Sequence, residues 1–107
     1  MGIFDEREKA QENKYFHDEE LRFKAVARRN KLFGIWAAGQ LGKSGTAVES
    51  YVGEVQRADM EEKGDADLLR KVSADLKTAG KTIPEKDLKA RLEVCLKDAI
   101  RELEAGK

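Results

Sequence analysis

Residues 32–49 read LFGIWAAGQLGKSGTAVE, and two folds compete for them. Ala37-Ala38-Gly39-Gln40-Leu41-Gly42-Lys43-Ser44 satisfies a relaxed phosphate-loop pattern, A-x-x-x-x-G-K-S. In that motif successive backbone N–H groups wrap the phosphates while Lys and Ser reach phosphate and magnesium. The mechanism needs a strand before the loop and a helix after it. The residues upstream, NKLFGIWAA, read instead as the end of a helix, and there is no parallel sheet to hold them. Gly42 is then a left-handed helix stop. Thr46 and Glu49 form a T-x-x-E capping box that opens the next helix. This reading makes the stretch a tight corner between two helices and the chain all-α. A weaker phosphate function survives it. The N–H groups at the start of the second helix, with Lys43, Ser44 and Thr46 beside them, attract an anion. The alternative function is therefore a small helical regulatory domain that binds ADP or ATP weakly through the Gly39–Thr46 turn.

Working outward, the punctuation repeats. Val48, Tyr51, Val52, Val55 and Met60 recur at helical spacing until Gly64. Asp65 or Asp67 caps a third helix with Leu68, Leu69, Val72 and Leu76 on one side, and Gly80 ends it. Thr82-Ile83-Pro84-Glu85 is a second T-x-x-E box, with Pro84 in the first turn where its missing N–H costs nothing. The last helix carries Leu88, Leu92, Cys95, Leu96, Ala99, Ile100 and Leu103 as one stripe. Toward the N-terminus the first helix is expected to run from an Asp5 N-cap, with Glu8 at N3, to Leu41, with a bend near His17–Asp18. Its second half offers Leu21, Phe23, Val26, Leu32, Phe33, Ile35, Trp36 and Leu41 to the core, Trp36 as an anchor. Short turns make neighbours antiparallel, so the expected fold is a four-helix bundle with a long first helix.

The chain has 107 residues, 40% apolar and 39% charged, with 21 basic side chains against 21 acidic ones. That is one small domain with a single modest core. The longest apolar run, LFGIWAA, is far short of the roughly 20 residues a membrane helix needs, so no membrane insertion is expected. The N-terminus shows no secretory or myristoylation pattern. Cys95, the lone cysteine, excludes an intrachain disulfide and leans toward a reducing cytoplasm; in its stripe it reads as a core residue, not a nucleophile. His17 is the lone histidine. It lies beside three carboxylates, but adjacent helical positions diverge, so no metal site is expected. No catalytic residue and no enzyme activity are expected. Arg22, Lys24, Arg28, Arg29 and Lys31 suggest nucleic acid. Residues 5–20, however, carry seven acidic and three basic side chains, which would repel a phosphate backbone. The basic stretch reads as a solvated bundle face, or as a surface pairing with acids of another helix or of a partner.

The front of the chain, FDEREKAQENKYFHDEE (4–20), raises a separate question. Between Phe4 and Tyr15 the only apolar side chain is Ala10. Most helices in water are held by an apolar face, and an isolated one is marginal. As helix these seventeen residues would reach about 25 Å. The segment reads as a mobile arm that orders in a foreign groove, or else as a frayed terminus without function or a helix docked on its own bundle by Phe4 and Phe16. The expected division is an arm over 1–19 and an anchoring bundle over 20–107, monomeric when free.

The same residues carry a resemblance. Phe4-Asp5-Glu6-Arg7-Glu8, Lys14, His17-Asp18-Glu19-Glu20, Ala27-Arg28-Arg29-Asn30-Lys31-Leu32, Gly34 and Trp36-Ala37-Ala38 resemble the signature of the alphaproteobacterial ATP synthase zeta subunit family. The match continues through Leu41-Gly42-Lys43, Tyr51, Glu54-Val55, Ala58-Asp59 and Gly64-Asp65, and loosens after about residue 70. The resemblance implies a four-helix fold without catalytic activity that inhibits ATP hydrolysis by F-type ATP synthase. Its partner would be the catalytic head, the alpha, beta and gamma subunits, placing it in the cytoplasm at the periphery of the inner membrane. The N-terminal segment would enter an alpha/beta interface near gamma. Phe4 and Phe16 would be the apolar anchors, Asp5, Glu6, Arg7, Glu8 and Lys14 would make polar contacts, and His17 and Asp18 would form the hinge with the bundle.

Overall fold

The structure is a computed structural model that describes residues 13–61 and 65–106. Among the described residues every regular element is a helix, and the chain is all-α. After a helical turn at 13–17 come α1 (Glu19–Gln40), α2 (Thr46–Glu61), α3 (Ala66–Thr78) and α4 (Glu85–Ala105). Helix α1 is the spine: it packs along both α2 and α4, and α3 closes the gap between those two. No helix among the described residues is long and apolar enough to cross a membrane.

The two internal glycine stops behave alike. At the end of α1, Gly42 takes a φ of 75°. The Lys43 N–H then reaches the Ala38 carbonyl at 2.9 Å and the Gly42 N–H reaches Gly39 at 3.1 Å. At the end of α3, Gly80 takes a φ of 83°. Lys81 bonds to Leu76 at 2.8 Å and Gly80 to Lys77 at 2.9 Å. Both are Schellman closures, which a residue with a Cβ makes only with strain. Helix α4 begins one residue beyond Pro84, which is the N-cap with ψ 145°. The proline therefore stands just outside the helix, not in its first turn as the Thr82 box implies. The stop at Gly64 and the Met60 side chain lie outside the described residues.

The main core joins Phe33, Ala37 and Ala38 to Tyr51, Val55, Leu68, Leu69, Val72, Leu76, Leu88, Leu92 and Cys95. Trp36 is half-buried at its rim, stacked on Phe33 at 5.7 Å between ring centres, with the Arg91 guanidinium 5.4 Å over its ring. It borders the core; it does not anchor it. Phe23 and Ile35, expected inside, are exposed. Spacing identifies the face of α1, but a face is buried only where a neighbour reaches it.

The close approach of α1 to α2 is set by Gly34, where a Cβ would lie 3.2 Å from both Cα and Cγ2 of Val52. Gly34→Val is expected to force the helices apart and lower stability by about 1–3 kcal/mol, the usual cost of overpacking. Urea denaturation followed by circular dichroism measures it.

Candidate functional site

The front of the described chain is two pieces, not one bent helix. Asp18 is extended, with φ −105° and ψ 113°, and its carboxylate accepts the Leu21 N–H at 3.0 Å. Its carbonyl accepts the Arg22 N–H at 2.8 Å. Asp18 is thus the N-cap of α1, with Glu19 and Glu20 placed favourably in the first turn. The expected bend near His17–Asp18 is a break.

Before the break, the side chains divide. Tyr15 is buried at 3% exposure and forms a second apolar cluster with Ala25 and Ile100, flanked by Leu21, Leu96 and Leu103. Lys14 pairs with Glu104 at 3.5 Å, and its ammonium lies 5.9 Å from the Tyr15 ring centre. Phe16, at 66% exposure, and His17 face outward. Of the expected partner-binding residues, Phe16 and His17 are available on the surface. Lys14 is engaged with α4, Asp18 is a cap, and Phe4, Asp5, Glu6, Arg7 and Glu8 lie outside the described residues. The docked-terminus reading named Phe4 and Phe16; Phe4 lies outside the described residues, Phe16 is exposed, and the described side chain that docks is Tyr15. Tyr15 and Phe16 stand side by side, and nothing local says which of the two aromatics turns inward.

Two members of the basic stretch, Arg28 and Arg29, pair with acids from elsewhere in the bundle, the second of the two expected readings. Arg29 is buried: its guanidinium takes both carboxylate oxygens of Asp65, at 2.8 and 3.3 Å, and the Asn30 side-chain oxygen at 2.8 and 3.0 Å. Arg28 pairs with Glu102 at 2.9 Å. Asp65 flanks α3 as its N-cap residue, yet its carboxylate serves Arg29 and not the helix end.

The turn at 42–46 is exposed, with Lys43, Ser44 and Thr46 all at the surface. The N–H groups of Gly42, Lys43, Ala47 and Val48 already bond to backbone carbonyls. Lys43 leans over the Tyr51 ring, 5.7 Å from its centre, and Lys71 lies 5.3 Å from the same ring. The Tyr51 hydroxyl donates to Asp75 at 2.9 Å, while Lys71 donates to Asp75 at 3.1 Å and to Glu54 at 3.0 Å. Burial, then the bond and charge of Asp75, push the Tyr51 phenol well above its ordinary range. Burial alone would lower Lys71, but its bonds to Glu54 and Asp75 outweigh it and raise it. A concave surface beside Leu41 therefore presents carboxylates already shared by cations. Burial likewise raises the Cys95 thiol, in keeping with a core residue. Among the described residues no three His, Cys, Asp or Glu side chains gather to hold a metal.

These features define a small all-α module with a separately docked front segment. A family model described as ATPase inhibitor subunit zeta matches residues 1–102. The chain belongs to that family, whose members are regulators and not enzymes. It is similar to a protein whose structure was solved in solution by NMR: 42% identity, 81% of this chain and 99% of the other covered, TM-score 0.72. Comparison with curated proteins finds no match.

The Tyr51 network sets an alkaline limit. Below the ordinary tyrosine pKa of 10.0 the phenol is protonated in both folded and unfolded chains, and its contribution is constant. Above it the unfolded phenol ionises first, so stability falls with rising pH, by at most about 1.4 kcal/mol per unit. Lys71 acts in the same direction, because its folded ammonium is favoured. Tyr51→Phe is expected to cost about 0.5–1.5 kcal/mol at neutral pH and to flatten the loss above pH 10. Denaturation midpoints measured from pH 7 to 11 check both.

Proposed function

We propose that this chain inhibits ATP hydrolysis by F-type ATP synthase without chemistry of its own. Residues 1–19 act as the inhibitory arm, entering an alpha/beta catalytic interface near gamma. Residues 20–107 hold the arm there and raise its effective concentration. A rotary enzyme cycles each interface through open and closed states. A helix lodged in one of them stabilises that state, and differential affinity alone suffices for inhibition. The chain works at the membrane periphery through the synthase.

Family membership supports the inhibitory role. The observation that carries the mechanism is the break at Asp18: the front of the chain is mechanically distinct from α1, which is capped without it. Phe16 and His17 stand outward on that separate piece, where a partner can take them.

Removing residues 2–12 tests the reading while leaving Tyr15 in place. The shortened chain is expected to keep its helicity and lose inhibition of ATP hydrolysis by a cognate ATP synthase, by tenfold or more in the half-inhibitory concentration, about the loss of 1.4 kcal/mol of binding. Equal inhibition by the shortened and full chains would remove the arm from the mechanism.

A further inference from the structure

By position Tyr15 belongs to the arm, and by contact it belongs to the bundle. We infer that its seat between α1 and α4, with the Lys14–Glu104 pair at the rim, is a latch. The latch holds the root of the arm in the free protein and opens when the arm engages ATP synthase. This rests on the function proposed above.

Four observations carry it. First, among the described residues ahead of Asp18 the buried side chain is Tyr15, 3% exposed, while its neighbour Phe16 is 66% exposed. Second, the seat is separate from the main core. Ala25 and Ile100 close it with Leu21, Leu96 and Leu103, while Phe33, Val55 and Leu68 belong to the other cluster. Opening it leaves the main core intact. Third, the hinge exists. Asp18 is a single extended residue between two helical pieces, and it caps α1 through Leu21 and Arg22 regardless of where 13–17 lie. Rotation there swings the segment away without unwinding α1. Fourth, the rim pair is long at 3.5 Å and its lysine is 48% exposed, so it resists opening weakly.

A groove that takes the arm to its root must take residues 13–17, and those residues have their inner side against α4. Both seats cannot hold Tyr15 together. The seat therefore lowers the fraction of competent inhibitor, and apparent affinity falls by that fraction. The sign is the test: loosening the seat from the α4 side strengthens inhibition.

The experiment uses full-length chains changed only on α4, Ile100→Ala and Glu104→Lys. Methyl-to-ring contacts of Tyr15 in the free protein, read by NMR, report the seat. The onset rate and half-inhibitory concentration on cognate ATP synthase report release. Glu104→Lys is expected to speed onset about two- to fivefold, the scale of a surface ion pair. Ile100→Ala is expected to act about tenfold or more, the scale of a buried aliphatic truncation. Both should lose Tyr15 contacts. Unchanged Tyr15 contacts in both variants, or weakened contacts with equal or poorer inhibition, would overturn the latch while the arm's function stands. A wild-type chain that does not inhibit removes the function and the latch together. Should Ile100→Ala fail to fold, Glu104→Lys carries the test, because it alters only a rim charge.

Discussion

Unequal helix lengths are the constraint on which the rest depends. Helices α1 and α4 have 22 and 21 residues, while α2 and α3 have 16 and 13. At 1.5 Å per residue the long pair outruns the short pair by about 8 Å or more. The mismatch falls at one end, because the α2–α3 connection meets α1 at Arg29 through Asp65. Beyond that level α1 and α4 continue as a pair, tied by Arg28 and Glu102 at 2.9 Å. Two helices alone leave apolar surface open to water. Residues 13–17 fold back over this overhang, and Tyr15 fills it.

The level at which the short helices end is marked by polarity. Along α1, Arg29 and Asn30 are buried between Ala25 of the overhang cluster and Phe33 of the main core. A buried guanidinium is costly unless its donors are used, and here Asp65 and Asn30 use them. The pair fixes where the α2–α3 turn sits. It also divides the apolar interior into two clusters, so a change at the overhang need not propagate into the main core.

Much of the fold was legible because it is written in backbone punctuation. Gly42 and Gly80 stop helices where positive φ is required, and the stripes from Val48 to Val55, from Leu68 to Leu76 and from Leu88 to Ile100 lie inward as their spacing demands. What was not legible depends on where a neighbour ends. Phe23 shares the heptad stripe of Asn30, Gly34 and Ala37, the face that packs on α2, yet it is 76% exposed because α2 stops short of it. Arg29 was hidden among four other basic residues, and nothing local separates a buried arginine from a solvated one. The break at Asp18 was closer to readable. An aspartate followed by two glutamates and a leucine is an N-cap signature, masked by helical residues on both sides. Of the candidate site, Phe16 and His17 are exposed, whereas Lys14 has a partner ninety residues away that spacing cannot reveal.

The front segment is short of apolar side chains, so the apolar contact that Tyr15 makes matters. A polar arm left wholly free would lose conformational entropy along its full length on binding. With its root already seated by Tyr15, part of that ordering is done in the free protein, but in a place from which the root must be withdrawn. The two effects oppose each other. A seat worth about 2 kcal/mol leaves roughly one molecule in thirty competent at any moment, which a binding site of ordinary strength overcomes. A seat worth about 5 kcal/mol would leave fewer than one in a thousand and would silence the arm. One buried tyrosine and a half-exposed ion pair fall near the lower figure. The overhang is thus strong enough to protect its apolar surface and weak enough to give up its cover to a competing groove.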